Sequence, residues 1–539
     1  MSKGNTAVWH ESFHTEVRFM RASYRGGEPV NLRKLLKSVH RVVDGSSNRE
    51  ILANSCCCDP EKVRQNDVFF AIDWQSCGCP NSPFFFDGND DFNKLYENGD
   101  DRFSETSPRH PLEEAVALAV ERGCQAVVAE QPFHCPDVPL YIVPNAKESF
   151  GALCHAIYGN PAQALQVVGI TGTSGKTSTS YLIAGMLAES GNPVGLIGTL
   201  GIYDGETLYP SRETTPPANE LVFWLFRMVA NGCSHVLIEV SSQAIVQARL
   251  AGIKLDAVCI TNIKRDHLDY HRTVEKYRRT KLGIFRYARK KGIVVCNGDD
   301  RVTGAVLPLI DHPVLTTGIR REAEIGGMLV ERIRGEQTFL LTAGTEAVPM
   351  RTRVIGNEHI YNCLMAAALG IGWGIDLKTI VRGLERVESI PGRMERIECG
   401  QSFGVYMDCA QTTEALATTL KTLRGVTEGR LLCVFGASGS QEPGKRGLLG
   451  QVIDTLADVA VLTTDEMFNG ESLRAMHEIA DGFTSEYGGP LTLQDRAEAI
   501  AWALTEAGEG DCVLIVGKGL PENFEPSPET LPSFCDRVF

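Results

Sequence analysis

Apolar and polar positions alternate in blocks through the middle of the chain, from about residue 150 to residue 318. Short runs of Val, Ile and Leu, typical of buried strands, are separated by longer stretches with apolar residues at helical spacing. We expect strands at 165–170, 194–199, 235–241, 256–262, 292–297 and 312–318. Helices are expected at 176–189, 219–231 and 273–290. This alternation predicts a parallel sheet with helices on both faces, with ligands at the carboxyl ends of its strands.

The pattern changes on either side of this middle region. Before it, a small α/β unit is expected, with strands at 68–72 and 126–129 and a helix at 112–121. After it, residues 326–356 switch to short alternating strands, followed by helices near 358–372 and 376–387. The last part alternates again, with strands expected at 403–409, 430–436, 459–464 and 512–516. That spacing predicts a second, smaller Rossmann-like unit.

Two segments lack any periodic pattern. Residues 1–28 are polar, and residues 76–109 are rich in Asn, Asp, Gly, Ser and Pro, which predicts a disordered loop insertion. The chain therefore divides into a flexible leader and three α/β domains, at 1–28, 29–148, 149–389 and 390–539.

Composition narrows the class of protein. The 539 residues suit about three domains, and 43% hydrophobic and 22% charged residues are ordinary for a globular protein. The net charge of −14 argues against nucleic acid or an anionic membrane as a partner. We find no apolar run that predicts a signal peptide or a membrane span. Most of the 17 cysteines lie in apolar patterns without zinc-site spacing, so a cytoplasmic protein with reduced thiols is expected.

The strand at 165–170 runs into a glycine-rich turn, Gly172-Thr173-Ser174-Gly175-Lys176-Thr177, and then into a helix. Backbone N–H groups of such a turn converge on one point together with the positive end of the helix dipole. The Lys side chain can reach β- and γ-phosphates, and the Thr hydroxyl can bind Mg²⁺. Ile170 stands where the P-loop pattern has its first glycine, so the match is to a variant. A strand–turn–helix that contains GKT by chance is the alternative, and we predict a nucleotide-phosphate loop.

Polar residues also follow the next predicted strands. Glu239 comes directly after a buried strand and offers the oxygen donors that Mg²⁺ prefers. The strand at 256–262 runs into Asp266-His267-Leu268-Asp269-Tyr270-His271. These carboxylates and imidazoles could be solvated helix caps, but their place after a parallel strand favours a ligand or catalytic role. Lys281, considered alone, would be interpreted as a surface lysine.

Taken in order, these segments resemble the central domain of the Mur ligases, and most of all the MurE type. The matching motifs are GITGTSGKTSTS, TTPP at 214–217, EVSSQAIVQAR at 239–249, TNIKRDHLDYH at 261–271 and YRRTKLGIF at 277–285. The resemblance continues through YNCLMAA at 361–367, PGRMERI at 391–397, VYMDCAQTTEAL at 405–416, GKR at 444–446, DRAEAI at 495–500 and GDCVLIVGKG at 510–519. It covers roughly 150–520 strongly and 30–145 weakly.

This resemblance implies a three-domain α/β architecture. A UDP-substrate-binding N-terminal domain would precede a central P-loop parallel-sheet ATPase domain and a C-terminal Rossmann-like domain that closes over ATP about a hinge near 389–393. The implied activity is ATP-dependent, Mg²⁺-requiring addition of an amino acid to UDP-N-acetylmuramoyl-L-alanyl-D-glutamate. The partners would be this UDP-N-acetylmuramoyl-dipeptide and the amino acid, and the protein would be a cytoplasmic monomer.

Site residues follow from the resemblance where motifs match. Those implied to bind ATP are Gly172, Thr173, Ser174, Gly175, Lys176, Thr177, Ser178, Asn362, Arg393 and Asp408. Those implied to hold Mg²⁺ are Thr177, Glu239, His267 and Lys281, the last as a carbamate. Those implied to hold the muramoyl-dipeptide are Thr214, Thr215, Ser241, Gln247 and Arg249. Catalytic roles are implied for Lys176, His267 and Lys281.

Several motifs depart from the family pattern. The usual EVSSH has Gln243 for its His, and DYAHTPDAL has become DCAQTTEAL from Asp408 on. Where diaminopimelate-adding members carry DNPR this chain has 465–468 as DEMF, and their GKGHE is GKGLP at 517–521. We therefore expect poor use of meso-diaminopimelate through the usual contacts.

Three functions remain open at this point. The first is a ligase with an altered amine substrate, which the retained Lys281 favours. The second is a weak paralogue that binds nucleotide or muropeptide as a sensor. The third is a ligase similar to folylpolyglutamate synthase, which the EVSS and DHLDYH forms disfavour.

Overall fold

The computed structural model describes residues 29–40, 44–45, 50–73, 112–135, 137–211, 213–437, 443–464, 470–484 and 489–517. The expected leader at 1–28 and the insertion at 76–109 lie outside these residues, as do positions 465–468 and 518–521 of the divergent motifs. Within the described part of the chain, every helix is too short or too polar to cross a membrane.

The N-terminal domain is built on a five-stranded sheet with the order β2-β7-β6-β5-β4, parallel except for β2. A separate antiparallel pair joins β1 to β3. The strands are β1 (Val30–Asn31), β2 (Asp44–Gly45), β3 (Leu52–Ala53), β4 (Cys56–Cys57), β5 (Val68–Ala71), β6 (Ala126–Ala129) and β7 (Leu140–Ile142). The helices are α1 (Leu32–Val39), α2 (Leu112–Glu121) and α3 (Ala146–Ile157), with a 3₁₀ turn at Pro60–Lys62. The strands and the helix predicted here are confirmed.

The central domain carries one sheet of eleven strands, in the order β11-β10-β9-β12-β8-β13-β14-β15-β16-β17-β18. The strands are β8 (Gln166–Thr171), β9 (Val194–Gly198), β10 (Gly201–Tyr203), β11 (Leu208–Tyr209), β12 (His235–Glu239), β13 (Leu255–Ile260), β14 (Ala288–Asn297), β15 (Val314–Gly318), β16 (Ile325–Ile333), β17 (Glu336–Ala343) and β18 (Glu346–Thr352). The helices are α4 (Lys176–Glu189), α5 (Ala218–Ala230), α6 (Ser242–Val246), α7 (Leu268–His271), α8 (Val274–Leu282), α9 (Arg301–Val306), α10 (Asn357–Gly372) and α11 (Leu377–Glu385). Short 3₁₀ turns lie at Pro161–Gln163, Gly283–Tyr287 and Leu307–Leu309.

The predicted parallel sheet is confirmed from β9 to β16, but the whole sheet is mixed. Antiparallel strands extend both ends, β10 and β11 at one and β17 and β18 at the other. The strands predicted in the alternating segment at 326–356 therefore belong to this same sheet. Thr317 and Gly318 of β15 pair with Ile325 and Gly326 of β16, so the hairpin strands continue the same surface.

The C-terminal domain has a six-stranded sheet in the order β19-β20-β24-β21-β22-β23, parallel except for β19. The strands are β19 (Glu395–Arg396), β20 (Gly404–Asp408), β21 (Leu431–Ala437), β22 (Val459–Thr464), β23 (Leu491–Thr492) and β24 (Cys512–Val516). The helices are α12 (Thr413–Arg424), α13 (Pro443–Leu456), α14 (Gly470–Ala480) and α15 (Arg496–Glu506). All four predicted strands are confirmed.

Helix α4, which follows the phosphate loop, packs against α11 through two glycines. A Cβ at Gly185 would lie 2.6 Å from Val387 Cγ2 and 2.9 Å from the Gly383 carbonyl oxygen. A Cβ at Gly383 would lie 2.6 Å from Met186 Cα. Any side chain at either glycine would force these helices apart, because protein interiors leave no spare room. The two backbones are therefore in direct contact, and α11 leads straight to the start of the C-terminal domain.

Candidate active site

Neighbouring strands β12, β8 and β13 bring the predicted site segments together at their carboxyl ends. The phosphate loop follows β8, Glu239 ends β12, and Thr261 and Asn262 follow β13. A Cβ at Gly172 would lie 1.9 Å from Thr261 Oγ1, and one at Gly175, where φ is +86°, would lie 2.5 Å from Asn362 Oδ1. Both glycines are therefore required by space, which leaves the loop backbone open to a ligand.

The loop after β13 holds the phosphate loop in shape. Thr173 N–H donates to the Asn262 carbonyl oxygen at 2.9 Å, and Ser174 N–H donates to Asn262 Oδ1 at 3.1 Å. In return, Thr261 Oγ1 donates to the Ser174 carbonyl oxygen at 2.6 Å. Asn262 Nδ2 donates to that same oxygen at 3.1 Å. These four bonds fix the loop before any phosphate arrives.

Two lysine side chains converge on the Gly172 carbonyl oxygen. Lys176 Nζ donates to it at 3.0 Å and Lys281 Nζ donates to it at 2.7 Å. The Lys281 side chain, expected at the surface when considered alone, is only 2% exposed. Burial, and then the nearby Lys176 cation, lower the pKa of Lys281 well below its usual value, against the opposing effect of Asp266. A lowered pKa favours the neutral amine, which is the form that reacts with CO₂.

Burial also lowers the pKa of Lys176, and the Glu239 carboxylate opposes that shift. Glu239 is fully buried, and its Oε2 accepts a hydrogen bond from Thr177 Oγ1 at 2.9 Å. Desolvation raises the pKa of Glu239, whereas Lys176 and the Thr177 hydroxyl work in the opposite direction. Arg393, at the start of the C-terminal domain, also contacts this group. Its Nη2 lies 3.5 Å from Thr177 Oγ1.

These donors fit a magnesium ion that also binds phosphates. Mg²⁺ prefers oxygen ligands, and proteins usually hold it through one or two carboxylates together with substrate phosphates. The hydroxyl of Thr177 and the carboxylate of Glu239 lie side by side with that chemistry. In the described ranges no group of three or more His, Cys, Asp or Glu residues is placed so that it could hold a metal ion.

His267 lies apart from this pair, at the residue that directly precedes α7. Its backbone is left-handed, with φ at +49°, and its Nε2 lies 3.5 Å from Asp266 Oδ2. Burial lowers the pKa of His267, and Asp266 opposes the shift. A neutral imidazole is the form that can bind a metal ion. His267 and Lys281 both line the cavity described next.

A cavity of about 460 Å³ adjoins the phosphate loop. Its lining residues include four of the five expected to hold the muramoyl-dipeptide: Thr214, Ser241, Gln247 and Arg249. The fifth, Thr215, is buried beneath them, where its Oγ1 donates to the Glu239 carbonyl oxygen at 2.6 Å and accepts from Ser241 N–H at 3.0 Å. The substrate residues and the Glu239 backbone therefore form one connected group.

Arg249 is held from three sides in this cavity. Its Nε donates to Gln247 Oε1 at 2.8 Å, and its Nη1 contacts both the Glu213 carboxylate and the Thr215 carbonyl oxygen. The guanidinium is fixed in this way by groups of the protein, which suits a cation placed to meet an anionic substrate.

The remaining residues expected to bind ATP come from the helix after the loop, from α10 and from the start of the C-terminal domain. Ser178 is buried in the first turn of α4, and Asn362 Oδ1 accepts from Thr179 Oγ1 at 3.3 Å. Asp408 Oδ2 accepts from Met394 N–H at 2.8 Å, next to Arg393. Burial raises the pKa of Asp408, against the Met394 N–H bond and the nearby Arg393 cation. Of these two C-terminal-domain residues, Arg393 forms the described hydrogen bond to α4, the helix that follows the phosphate loop.

Comparison with known proteins identifies this arrangement. A family model of the Mur ligase middle domain matches residues 170–370, and one of the Mur ligase glutamate ligase domain matches residues 392–519. A UDP-N-acetylmuramoyl-L-alanyl-D-glutamate–2,6-diaminopimelate ligase of Geobacillus kaustophilus is 37% identical over 426 residues, which is 78% of this chain and 87% of that protein. This chain belongs to the Mur ligase family.

Other relatives agree with this assignment. A UDP-N-acetylmuramyl-tripeptide synthetase of Roseiflexus sp. is 35% identical over 75% of this Mur ligase and 84% of its own length. The solved structure of a UDP-N-acetylmuramoyl-L-alanyl-D-glutamate–2,6-diaminopimelate ligase superposes with a TM-score of 0.61 at 22% identity, over 94% of this chain and 99% of that one. The expected three-domain Mur ligase fold and the resemblance to the MurE type are confirmed.

Three residues of this Mur ligase site were missed by sequence reasoning. Thr199 bonds to Glu239, Glu213 contacts Arg249, and the Tyr277 hydroxyl lies 3.0 Å from Thr173 Oγ1. A signal existed for Thr199, since it is the last residue of the strand predicted at 194–199, as Glu239 is the last residue of β12. Tyr277 and Glu213 belong to a helix and a loop whose contacts cannot be inferred from strand ends.

Proposed function

We propose that this Mur ligase joins an amino acid to UDP-N-acetylmuramoyl-L-alanyl-D-glutamate at the expense of ATP, in the synthesis of peptidoglycan precursors. Relatives at 35% and 37% identity carry names that describe this type of reaction. The observation that carries the proposal is the convergence of Lys176, Thr177, Glu239 and Lys281 beside a cavity that contains Arg249. The substrates of this reaction include two nucleotides, ATP and the UDP-linked dipeptide. Because nucleotides of this kind are used inside the cell, we propose that the enzyme acts in the cytoplasm, as a monomer.

A carboxylate is a poor electrophile, so the reaction has two steps. The side-chain carboxylate of the D-glutamyl residue first attacks the γ-phosphorus of ATP, which yields an acyl phosphate and ADP. The amine of the incoming amino acid then attacks the acyl carbon, loses a proton, and the tetrahedral intermediate collapses with departure of inorganic phosphate. The protein's main contribution to both steps is alignment of the reacting groups.

The residues of the chain divide this task. Lys176 and the N–H groups of the phosphate loop bind and orient the phosphates, since they present positive charge where negative charge develops. Arg249, held by Gln247 and Glu213, meets an anionic group of the muramoyl-dipeptide. Ser241 and Thr214 offer hydroxyls that orient the peptide in the cavity.

Thr177 and Glu239 are proposed to hold Mg²⁺, with His267 and carbamylated Lys281 as further ligands. Bound there, the ion would neutralise charge on the transferring phosphoryl group. The low pKa of Lys281 supports carbamylation, because only a neutral amine takes up CO₂. A carbamate would convert this buried cation into an anionic oxygen ligand.

Phosphate release decides between this function and its alternatives. Purified protein is given UDP-N-acetylmuramoyl-L-alanyl-D-glutamate, ATP, Mg²⁺ and a panel of amino acids, and phosphate is measured. We expect release that requires both the muropeptide and an amino acid, and that is lost in a Lys176→Met variant. Release only with a folate substrate would replace the proposal by folylpolyglutamate synthesis. No release under any condition, with ADP or muropeptide still bound, would favour the sensor.

A further inference from the structure

We propose that Thr199 is a positioning residue of this site. Its hydroxyl connects Glu239 to Thr214 and sets Thr214 to accept a hydrogen bond from a peptide N–H of the acyl substrate. The inference rests on the proposed function and extends it, because it assigns a role to a residue outside the motifs and states which group of the substrate Thr214 meets.

Thr199 comes directly after β9, the strand that pairs in parallel with β12. Because Ile197 is opposite Ile238, Thr199 lies level with the end of β12, where Glu239 is buried. Thr199 grips the carboxylate at two points: its N–H donates to Oε1 at 3.3 Å and its hydroxyl donates to Oε2 at 3.1 Å. The preceding Gly198 makes room for this contact, since a Cβ there would lie 2.1 Å from Glu239 Oε1.

The direction of the hydrogen bonds follows from counting hydrogens. The Glu239 carboxylate receives donors from Thr177 Oγ1, Thr199 Oγ1 and Thr199 N, so it acts as an acceptor at both oxygens. A threonine hydroxyl has one hydrogen and two lone pairs. The hydrogen of Thr199 is used on Glu239.

Thr199 Oγ1 also lies 3.1 Å from Thr214 Oγ1. Since Thr199 has no second hydrogen, the hydrogen of this bond must come from Thr214. Thr214 then has only lone pairs left for the cavity that it lines. The Thr214 hydroxyl can therefore only accept a hydrogen bond from the substrate. The muramoyl-dipeptide offers amide N–H donors beside its carboxylates and phosphates.

The arrangement also explains why this position suits threonine. Thr199 is exposed on its other side, yet both hydrogen-bonding roles of its hydroxyl are used by site residues. A β-branched side chain has few χ1 options, so the hydroxyl is held in place without burial. Valine has the same shape and lacks the hydroxyl, which makes Thr199→Val the matched replacement.

The experiment measures binding of UDP-N-acetylmuramoyl-L-alanyl-D-glutamate by isothermal titration calorimetry. The variants are Thr199→Val, Thr199→Ser, Thr214→Val and the double valine variant, with Thr455→Val as a control. Thr455 donates its hydroxyl to the Gln451 carbonyl oxygen on a helix of the C-terminal domain, far along the chain from this site. Affinity for ADP without added metal serves as an internal control, because Thr199 does not bond to the phosphate loop in the described contacts.

We expect each single valine variant to weaken muropeptide binding roughly fivefold to tenfold, the effect of one lost hydrogen bond. The double variant should be no worse than about the worse single one, because the two hydroxyls act as a unit. Thr199→Ser should bind within about twofold of wild type, and ADP affinity should stay unchanged in every variant. A role limited to folding would instead lower the melting temperature without this pattern.

The outcomes separate the two proposals. If wild-type protein does not bind the muropeptide, the proposed function fails, and this inference fails with it. If wild type binds but Thr199→Val binds equally well, or if the losses in the double variant are additive, only the role of Thr199 is overturned. Should Thr199→Val not fold, Thr199→Ala removes the same hydroxyl with a smaller side chain and carries the same comparison.

Discussion

In the central domain, the carboxylate that ends strand β12 bonds to other side chains, whereas in the C-terminal domain the threonines that end β22 bond to a backbone carbonyl. Thr177 and Thr199 both donate to Glu239, which ends β12. By contrast, Thr463 and Thr464 at the end of β22 both donate to the Gln494 carbonyl oxygen, at 3.3 and 3.2 Å. At these two strand ends the same architecture thus connects side chains of different elements in one domain and satisfies its hydroxyls on backbone in the other.

This difference indicates where sequence change is tolerated. A side chain whose partners are other side chains cannot be replaced without leaving a buried group unpaired, which costs about 1–3 kcal/mol or more. In the central domain, Gln243 and the segment at 356–362, where the family has GRFNVYN, depart from the family pattern, and most other departures fall in the C-terminal domain. Each prediction below tests one side of this contrast, beginning with the largest expected effect.

Replacing Lys281 by alanine should reduce kcat on the order of a hundredfold to a thousandfold, the usual cost of removing a preorganised electrostatic group. The fold should survive, since the described hydrogen bond of the lost amine is to the neutral carbonyl oxygen of Gly172. Phosphate release measures turnover, and thermal melting checks the fold. Added bicarbonate or a short-chain carboxylate should restore part of the activity.

Lys290→Ala is the control for Lys281, because it removes an exposed lysine from β14 in the same domain. Normal turnover by Lys281→Ala would make Lys281 a structural residue and would remove the main support for a metal site here.

The choice of amino acid tests the C-terminal side. A diaminopimelate-adding ligase needs a cation for the distal carboxylate and an acid for the distal ammonium. The matching positions here are Phe468 and Pro521, which carry no charge. Leaving such a group unpaired costs several kcal/mol, so we expect affinity for meso-diaminopimelate to be lower by about a hundredfold or more.

Values of kcat/KM for meso-diaminopimelate, lysine, ornithine and neutral amino acids measure this preference. A clear preference for meso-diaminopimelate would mean that neighbours such as Glu466 or Lys518 supply the charges from shifted positions. The C-terminal domain would then be as constrained by its substrate as the central domain, and the contrast between the two domains would no longer hold.

Acid should destabilise the central domain through His359, a smaller effect. This buried histidine shares a hydrogen bond of 3.0 Å with Thr352 Oγ1, and burial lowers its pKa to about 3. The folded state keeps it neutral, while the unfolded chain binds a proton below about pH 6.5. The free energy of unfolding must therefore fall as the pH drops from about 6.5 towards 3, by at most roughly 1.4 kcal/mol per pH unit.

Urea unfolding of wild type and His359→Gln at pH 7 and pH 5 tests this linkage. The wild type should lose roughly 2 kcal/mol more than the variant over this interval. His477→Gln, at an exposed histidine of the C-terminal domain, should behave as wild type. An equal loss in wild type and His359→Gln would show that acid acts elsewhere.

Sequence patterns located most of the strands because buried strands have a local signature. Residues 166–171 and 512–516 read as apolar runs whatever their neighbours are. The predicted helix at 273–290 was too long: α8 ends at Leu282, and β14 already begins at Ala288. Residues 288–291, three of which are basic, join that strand because Arg289 pairs with Asp256 and Ala288 pairs with Leu255. Periodicity along the chain cannot reveal these contacts.

The site shows the same limit. Motif residues such as Lys176 and Glu239 were predicted because a strand end or a glycine loop marks them. Burial of Lys281 was not visible locally, since its neighbours 276, 278 and 279 are all basic. The role of Thr199 depends on its distance from Glu239, forty residues away in sequence, and only pairing of β9 with β12 creates it.

The glycine contact between α4 and α11 has a mechanical consequence. Side chains packed between two helices can adjust to small displacements of one helix against the other. Gly185 and Gly383 place no side chain at the contact between α4 and α11. Helix α4 starts at Lys176 of the phosphate loop, and α11 ends a few residues before Arg393, which reaches back to Thr177. The phosphate loop and the base of the C-terminal domain thus form a closed mechanical linkage. A displacement of the loop on nucleotide binding would therefore be transmitted through α4 and α11 to the start of the C-terminal domain.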